Sequence, residues 1–342
     1  MKIENYGDLL ETVRGFCPAR IILSAQELGI YDALEKGRDA KETELQQVSN
    51  GAKGCGADEV AQRLSLNPRA CSLLLNALVA IGLVVKRDGR YENSPLARER
   101  LVSSNPHYGG RGIMHMAQLW DSWSHLSNIL RYGDEGRLER SRSEEQYHHF
   151  VGAMYDYGYQ RAKELAESLD LQDLSFFLDL GGGPASYSIA LCEKNPHLRA
   201  RLFDKAPAID IAREKVKAHD LEARIQLCVG DFDYDSIGSQ WELIFASHII
   251  HSRSEEENRR LLREIHQALI PGGRLLLQDF YTNADFTEPP NAALFAINML
   301  VNTQDGRTYS FDELANWLED CGFASHRILP SPPGADLIEA IK

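Results

Sequence analysis

Bare glycines, carboxylates placed after apolar runs and two nearby histidines are the residues of this chain whose types and spacing could do chemistry. Leu178-Asp179-Leu180-Gly181-Gly182-Gly183-Pro184-Ala185-Ser186 sets three glycines behind a short apolar segment. Glycines there let the backbone turn sharply and bring a ligand against bare main chain. Helical spacing begins at Tyr187, so the free N–H groups of a helix start should face that ligand. Asp204 ends the next apolar segment, about 20 residues past the glycines, where an acidic side chain can accept both hydroxyls of a ribose. The pattern departs from the dinucleotide fingerprint, because Ser186 stands at the place of its third glycine. Pro184 also removes an N–H from the first turn. A pyrophosphate needs those amides, whereas a nucleotide-type ligand with an amino-acid end needs fewer. A structural tight turn and NAD are the competing readings. Downstream, Gly230-Asp231-Phe232 offers a carboxylate and a ring to an adenine. Ser247-His248-Ile249-Ile250-His251 brings two imidazoles, and Gln278-Asp279-Phe280 a further carboxylate.

These residues need a scaffold that gathers them, and the second half of the chain has the rhythm of one. Short apolar runs predict strands at 175–180, 199–203, 224–229, 242–247, 273–279, 323–329 and 336–341, the fifth after a turn at Pro271-Gly272-Gly273. Amphipathic stretches predict helices at 186–194, 207–219, 255–269 and 310–321. Alternation of this kind makes a doubly wound α/β sheet, with ligands held at the carboxyl ends of its strands. Each chemical group named above falls at such an end.

The first half reads as helical. Residues 8 to 36 carry amphipathic patterns, and 37 to 57 are polar and glycine-rich, which predicts a loop. Two helices follow, Asp58 to Leu64 and Pro68 to Ile81, the second with Asn67 as N-cap and proline at its first position. A hairpin closes on Asp88-Gly89. Helix, helix, hairpin is a winged-helix arrangement. Its second helix has one basic residue and a leucine-rich face, unsuited to reading bases, so packing or dimerisation is the expected role. Residues 106 to 168 look mainly helical and rich in aromatics and methionine. Most belong to a core, but His115, Trp120, Phe150 and Met154 are candidates for lining an apolar acceptor pocket. Phe150 and Met154 share a helix face.

The chain has 342 residues and a net charge of −13. That length suffices for two domains with real cores. The charge disfavours a general nucleic-acid binder, which needs a basic face. Six cysteines form no C-x-x-C pair and read as free thiols in a reducing compartment. Met1-Lys2-Ile3-Glu4-Asn5 is no signal peptide, and the longest apolar run, Leu73 to Val85, is too short to span a bilayer. A cytoplasmic protein with no bound metal is expected.

Taken in order, Leu178-Asp179-Leu180-Gly181-Gly182-Gly183, Phe203-Asp204, Gly230-Asp231-Phe232, Ile250-His251-Ser252 and Pro271-Gly272-Gly273-Arg274 resemble the S-adenosylmethionine-dependent O-methyltransferases of the caffeate and hydroxyindole type. The resemblance extends over nearly the whole chain. It implies a winged-helix dimerisation domain at 1–105, a helical linker contributing to the acceptor pocket at 106–168, and a Rossmann-like catalytic domain with a seven-stranded, mostly parallel sheet at 169–342. It implies S-adenosylmethionine as cofactor, with Gly181 and Gly183 against its methionine part, Asp204 on the ribose and Asp231 with Phe232 at the adenine. Asp179 and Ser247 are counted as cofactor contacts too. His251 matches the family's general base and Asp279 the acid that orients it. Asn298 sits where relatives touch the acceptor. A homodimer acting on a small-molecule acceptor is implied.

The chemistry agrees with this assignment. Methyl transfer from a sulfonium is an in-line displacement that gains most from positioning. A hydroxyl nucleophile must lose its proton, and an imidazole, with an ordinary pKa of about 6.5, can take it. A carboxylate on the other ring nitrogen fixes the tautomer and stabilises the imidazolium. Strand alternation predicts His248 on the face opposite Ser247 and Ile249, which makes it the second choice as base. The bland readings are a structural His251 ahead of the next helix and an ordinary strand-end Asp279. There are departures from the family: Leu-His-Asp-Trp reads Ile250-His251-Ser252-Arg253, and Ala185 replaces the last glycine of the cofactor loop. Methylation of N, C or S with the same cofactor, non-methylating chemistry, and a metabolite-sensing regulator are the alternatives.

Overall fold

A computed structural model describes residues 2–35, 54–138, 144–332 and 335–342. The loop expected at 37–57 lies mostly outside them; near its end, Cys55 bridges to Tyr91. The chain forms two compact units, Met1–Trp120 and Asp121–Lys342. Among the described residues, no helix is long and apolar enough to cross a membrane.

In the first unit, α1 (Tyr6–Arg14) starts at Asn5, whose side chain accepts from the Asp8 N–H. It is followed by α2 (Phe16–Glu27), α3 (30–35), α4 (Ala57–Arg63) and α5 (Pro68–Ala80). The predicted cap of α5 forms: the Asn67 side chain takes the Ala70 N–H, and Pro68 occupies the first turn. Antiparallel β1 (Val84–Arg87) and β2 (Arg90–Asn93) make the hairpin. Its turn residues, Asp88 and Gly89, have φ of 48° and 75°, as this tight hairpin turn demands. Two more helices follow, α6 (Pro95–Arg100) and α7 (Gly110–Ser124). Ile30, Leu75, Leu78 and Tyr91 are among the residues of this unit's core.

The second unit begins with α8 (Leu126–Tyr132) and α9 (Glu144–Ser168). Alternation then runs through β3 (Phe176–Leu180), α10 (Ser186–Lys194), β4 (Arg199–Asp204), α11 (Ala206–Ala218), β5 (Ile225–Val229), β6 (Trp241–Ser247), α12 (Glu255–Ala268) and β7 (Leu269–Asp279). The chain ends in β8 (Tyr281–Thr282), α13 (Pro290–Asn302), β9 (Tyr309–Ser310), α14 (Phe311–Asp320), β10 (Ser325–Leu329) and β11 (Asp336–Ile341). The main sheet has seven strands in the order β10-β11-β7-β6-β3-β4-β5. Neighbours from β7 through β5 are parallel, and the pairs made by β11 are antiparallel. Both faces are covered, by one apolar cluster around Phe177, Leu191 and Phe245 and another around Ile244, Leu261, Ile265 and Trp317.

The expected strands all form. The fifth begins earlier than expected, at Leu269, because Leu269 already pairs with Trp241. Pro271-Gly272 is thus an irregularity inside β7, with Gly272 at φ 76°. Register explains why the chemistry gathers. Leu180 pairs with Phe203 and with Ala246, and Ser247 pairs with Gln278. The residues that follow β3, β4 and β6, and the end of β7, therefore stand level at one edge of the sheet.

Candidate active site

The glycine loop is shaped by close neighbours on one side and open space on the other. Gly181 and Gly183 have φ of 65° and 53°, a region L side chains rarely adopt. A Cβ on Gly181 would press on Ile249 at 2.9 Å. One on Gly182 would meet the Asp179 carboxyl at 2.6 Å and Leu202 at 2.8 Å. At Gly183 a Cβ would meet nothing within 4 Å. The loop's own N–H groups are anchored: Gly181 donates to the Phe203 carbonyl (2.8 Å) and Gly183 to Asp204 Oδ2 (2.8 Å). Ala185, at the N-cap of α10, is itself left-handed with φ 70°, a conformation glycine adopts at less cost.

Asp204 joins this loop directly. Its second oxygen accepts from the Lys205 N–H at 2.7 Å, and each oxygen keeps a lone pair for a further donor. Burial raises its pKa, against the pull of the N–H groups of Lys205 and Gly183. The Asp204 carbonyl takes the Gly230 N–H (3.0 Å). Gly230 is required to be bare, since a Cβ would lie 2.2 Å from the Phe203 ring. Beyond it, Asp231 pairs with Lys205 Nζ (2.9 Å), and the Phe232 ring comes within 3.6 Å of the Cβ position of Gly181. Asp179 is buried beneath the loop, 2.6 Å from Ser188 Oγ. Burial pushes its pKa up to about 7, and the hydrogen bond from Ser188 opposes the rise. Ser247 donates its hydroxyl to Gln278 Oε1 (2.9 Å).

Asp279 is 1% exposed at its side chain, and His251 reaches it with Nδ1 2.6 Å from Oδ1. The His251 N–H also points to Oδ2, at 3.3 Å. His248 Nδ1 lies 3.7 Å from the same Oδ1. Burial alone would raise the Asp279 pKa, but the charge of His251 and the hydrogen bonds of both imidazoles outweigh it and hold the carboxyl well below its usual range. His248 falls on the face opposite Ser247: Ser247 bonds Gln278 and His248 approaches Asp279, neighbours on β7 that point to opposite faces. The strand stops at Ser247 and His248 takes φ 57°, with its imidazole on the side of the sheet that carries Asp279 and His251. Phe295 meets the His251 ring edge-on at 5.0 Å and stands 4.2 Å from Phe280. Phe295 was not singled out by the sequence; the signal was its place three residues before Asn298 on a helix.

Other expected acceptor residues fall in separate places. Phe150 and Met154 lie on α9 at four-residue spacing with Gly158, whose Cβ position is 3.5 Å from Ser186 Oγ at the start of α10. That face of α9 therefore runs toward the glycine loop. On α13, the Asn298 Oδ1 accepts from Trp123 Nε1 (3.2 Å) and Asn302 Nδ2 (3.1 Å). His115 and Trp120 belong to the first unit, His115 buried and Trp120 with the Arg20 guanidinium 5.4 Å above its ring.

Comparison with known proteins gives this arrangement a family. Residues 132–324 match the O-methyltransferase domain, and residues 10–103 match the O-methyltransferase dimerisation domain. The chain belongs to the O-methyltransferase family. It is 30% identical over 343 aligned residues to 3-hydroxy-5-methyl-1-naphthoate 3-O-methyltransferase of Streptomyces sahachiroi, covering 97% of this chain and 94% of that one. It is also 30% identical to the tetracenomycin polyketide synthesis 8-O-methyl transferase TcmO of Streptomyces glaucescens, covering 95% and 93%. Human N-acetylserotonin methyltransferase, solved with S-adenosylmethionine, shares the fold with a TM-score of 0.81 at 22% identity, over 100% of this chain and 98% of that one. This methyltransferase accordingly takes S-adenosylmethionine as its donor. Its residues fit that group: an open cradle at Gly183, two bare glycines before it, and the Asp204 carboxylate holding the Gly183 N–H.

Proposed function

We propose that this methyltransferase methylates a hydroxyl oxygen on a small, apolar, aromatic compound, with His251 as the general base. The observation that carries the reading is the 2.6 Å contact between His251 Nδ1 and the buried Asp279 carboxylate, beside the aromatic pair Phe280 and Phe295. When bound, S-adenosylmethionine supplies a methyl group activated by its sulfonium. Gly181 and Gly183 present bare backbone to its amino-acid end, Asp204 accepts its ribose hydroxyls, and Asp231 and Phe232 meet its adenine. Asp179 supports the loop from below, and Ser247 borders it. With Nδ1–H donated to Asp279, Nε2 of His251 is the acceptor for the hydroxyl proton, and Asp279 stabilises the imidazolium that results. Phe280 and Phe295 give an aromatic acceptor a wall, and Phe150, Met154 and Asn298 extend the same reading. Both bacterial relatives are named for O-methyl transfer, in keeping with it.

The organisation that goes with this function is a winged-helix dimerisation domain at 1–105, a helical linker at 106–168 and a catalytic domain at 169–342, working as a cytoplasmic homodimer. A radiolabelled-methyl screen over phenols and naphthols tests the central reading. Label in an ether product, lost in His251→Ala, is the expected result. Label on nitrogen or carbon acceptors only would contradict it.

A further inference from the structure

Arg253 stands where the family's aromatic residue is expected, and it is 8% exposed. A buried guanidinium needs partners, and this one has them on the loop that carries the adenine-binding pair. Its Nη1 lies 3.0 Å from Asp233 Oδ2, and its Nη2 bonds the other oxygen, so the contact is a two-pronged fork. Its Cζ sits 5.2 Å from the centroid of the Phe232 ring, within reach for a cation–π contact. Among the described residues its Nε has no hydrogen-bond partner. Arg260 Nη2 adds a second charge on Asp233 Oδ1, at 3.2 Å. The hydrogen bond from Arg253 leads the causes that hold the Asp233 pKa below its ordinary value.

The far side of Arg253 is equally fixed. The Tyr309 hydroxyl donates to its carbonyl, and Asn258 Nδ2 holds the Ile250 carbonyl at 2.9 Å. The turn from Ile250 to Ser252, which carries His251, is thus tied by Arg253 to the loop Asp231–Phe232–Asp233.

We propose that Arg253, clamped by Asp233, is a positioning residue for the adenine end of the donor: it holds the Phe232 ring and the Asp231 backbone in the binding posture. The inference rests on the donor reading above. An arginine does here, by packing against Phe232, what a larger aromatic could do by stacking, and Asp233 is the anion that makes a buried cation tolerable.

Titration calorimetry with S-adenosylhomocysteine on the full chain tests this without reference to turnover, with thermal melting alongside. Arg253→Ala and Asp233→Asn should each weaken binding about tenfold or more, and the double variant should be no worse than the weaker single by more than about threefold, because one clamp is lost in each case. Arg253→Trp should restore affinity to within about threefold of the parent, since an aromatic face can again cover Phe232. Asp233 is part-exposed and retains Arg260, so Asp233→Asn decides the matter if Arg253→Ala does not fold. Near-parental affinity in Asp233→Asn with a lowered melting temperature would overturn the proposal in favour of a purely structural ion pair. So would a Trp variant as weak as the Ala variant. Failure of the parent protein to bind S-adenosylhomocysteine would overturn the donor reading and this inference together.

Discussion

His251 and Asp179 show how far a single side chain's surroundings set its behaviour. His251 is oriented by a carboxylate that stays ionised, because two imidazoles share it. Replacing His251 by Ala should lower kcat by about 10²- to 10⁴-fold, the usual worth of a general base. Affinity for S-adenosylhomocysteine, measured by calorimetry, should change by less than about threefold. Equal losses in both would show that His251 acts on the fold and not on the proton. Asp179 makes the opposite case. Burial raises its folded pKa to about 7, above an unfolded value of about 3.9. Its contribution to stability is therefore complete below the unfolded value and is lost as pH rises through about 7. Asp179→Asn keeps the shape and removes the titration. The variant should gain on the parent between those limits by about 1.4 kcal/mol per pH unit, read from urea midpoints. A pH-independent difference would refute the raised pKa.

At the scale of elements, the glycine loop divides its residues by what each would strike. Gly182→Ala drives a methyl into the Asp179 carboxyl and Leu202, so stability should fall by more than about 1 kcal/mol. Gly183→Ala meets no atom within 4 Å. It should cost only the roughly 1–2 kcal/mol of a left-handed residue, yet weaken S-adenosylhomocysteine binding about tenfold or more, because the methyl enters the cradle. Thermal melts and titrations on the two variants separate these effects. The strands around the loop were legible because each is a short apolar run ending in a group that could do chemistry. Asp204 could be paired with the glycines from spacing alone, since a βαβ unit brings the two strand ends side by side. His248 does fall opposite Ser247, since Ser247 bonds Gln278 and His248 faces Asp279, its neighbour on β7; spacing did not show that this is the side on which His251 reaches the same carboxylate. Phe295 and the Asp233–Arg253 clamp were not legible. Each joins separate segments of the chain, and neither contact has a local pattern to announce it.

For the whole molecule, the seven-stranded, mostly parallel sheet follows the rhythm of strands and helices, whereas its strand order, β10-β11-β7-β6-β3-β4-β5, is set by pairings between distant segments. The match at 10–103 to a dimerisation domain is the ground for proposing that two chains associate. Light scattering on the eluting protein should give twice the chain mass of 38.4 kDa, and a monomer across micromolar concentrations would contradict it. What the acceptor is depends on side chains drawn from several helices, whose facing surfaces a linear pattern does not define. The donor site depends on less: three bare residues and one carboxylate. Titration of S-adenosylhomocysteine into the parent chain and into Asp204→Ala tests that directly. Saturable binding at one site per chain is expected in the parent, and a loss of about tenfold or more in the variant, which would give up charge-assisted hydrogen bonds to the ribose. Absence of binding by the parent at millimolar ligand, or equal affinity in the two proteins, would contradict it.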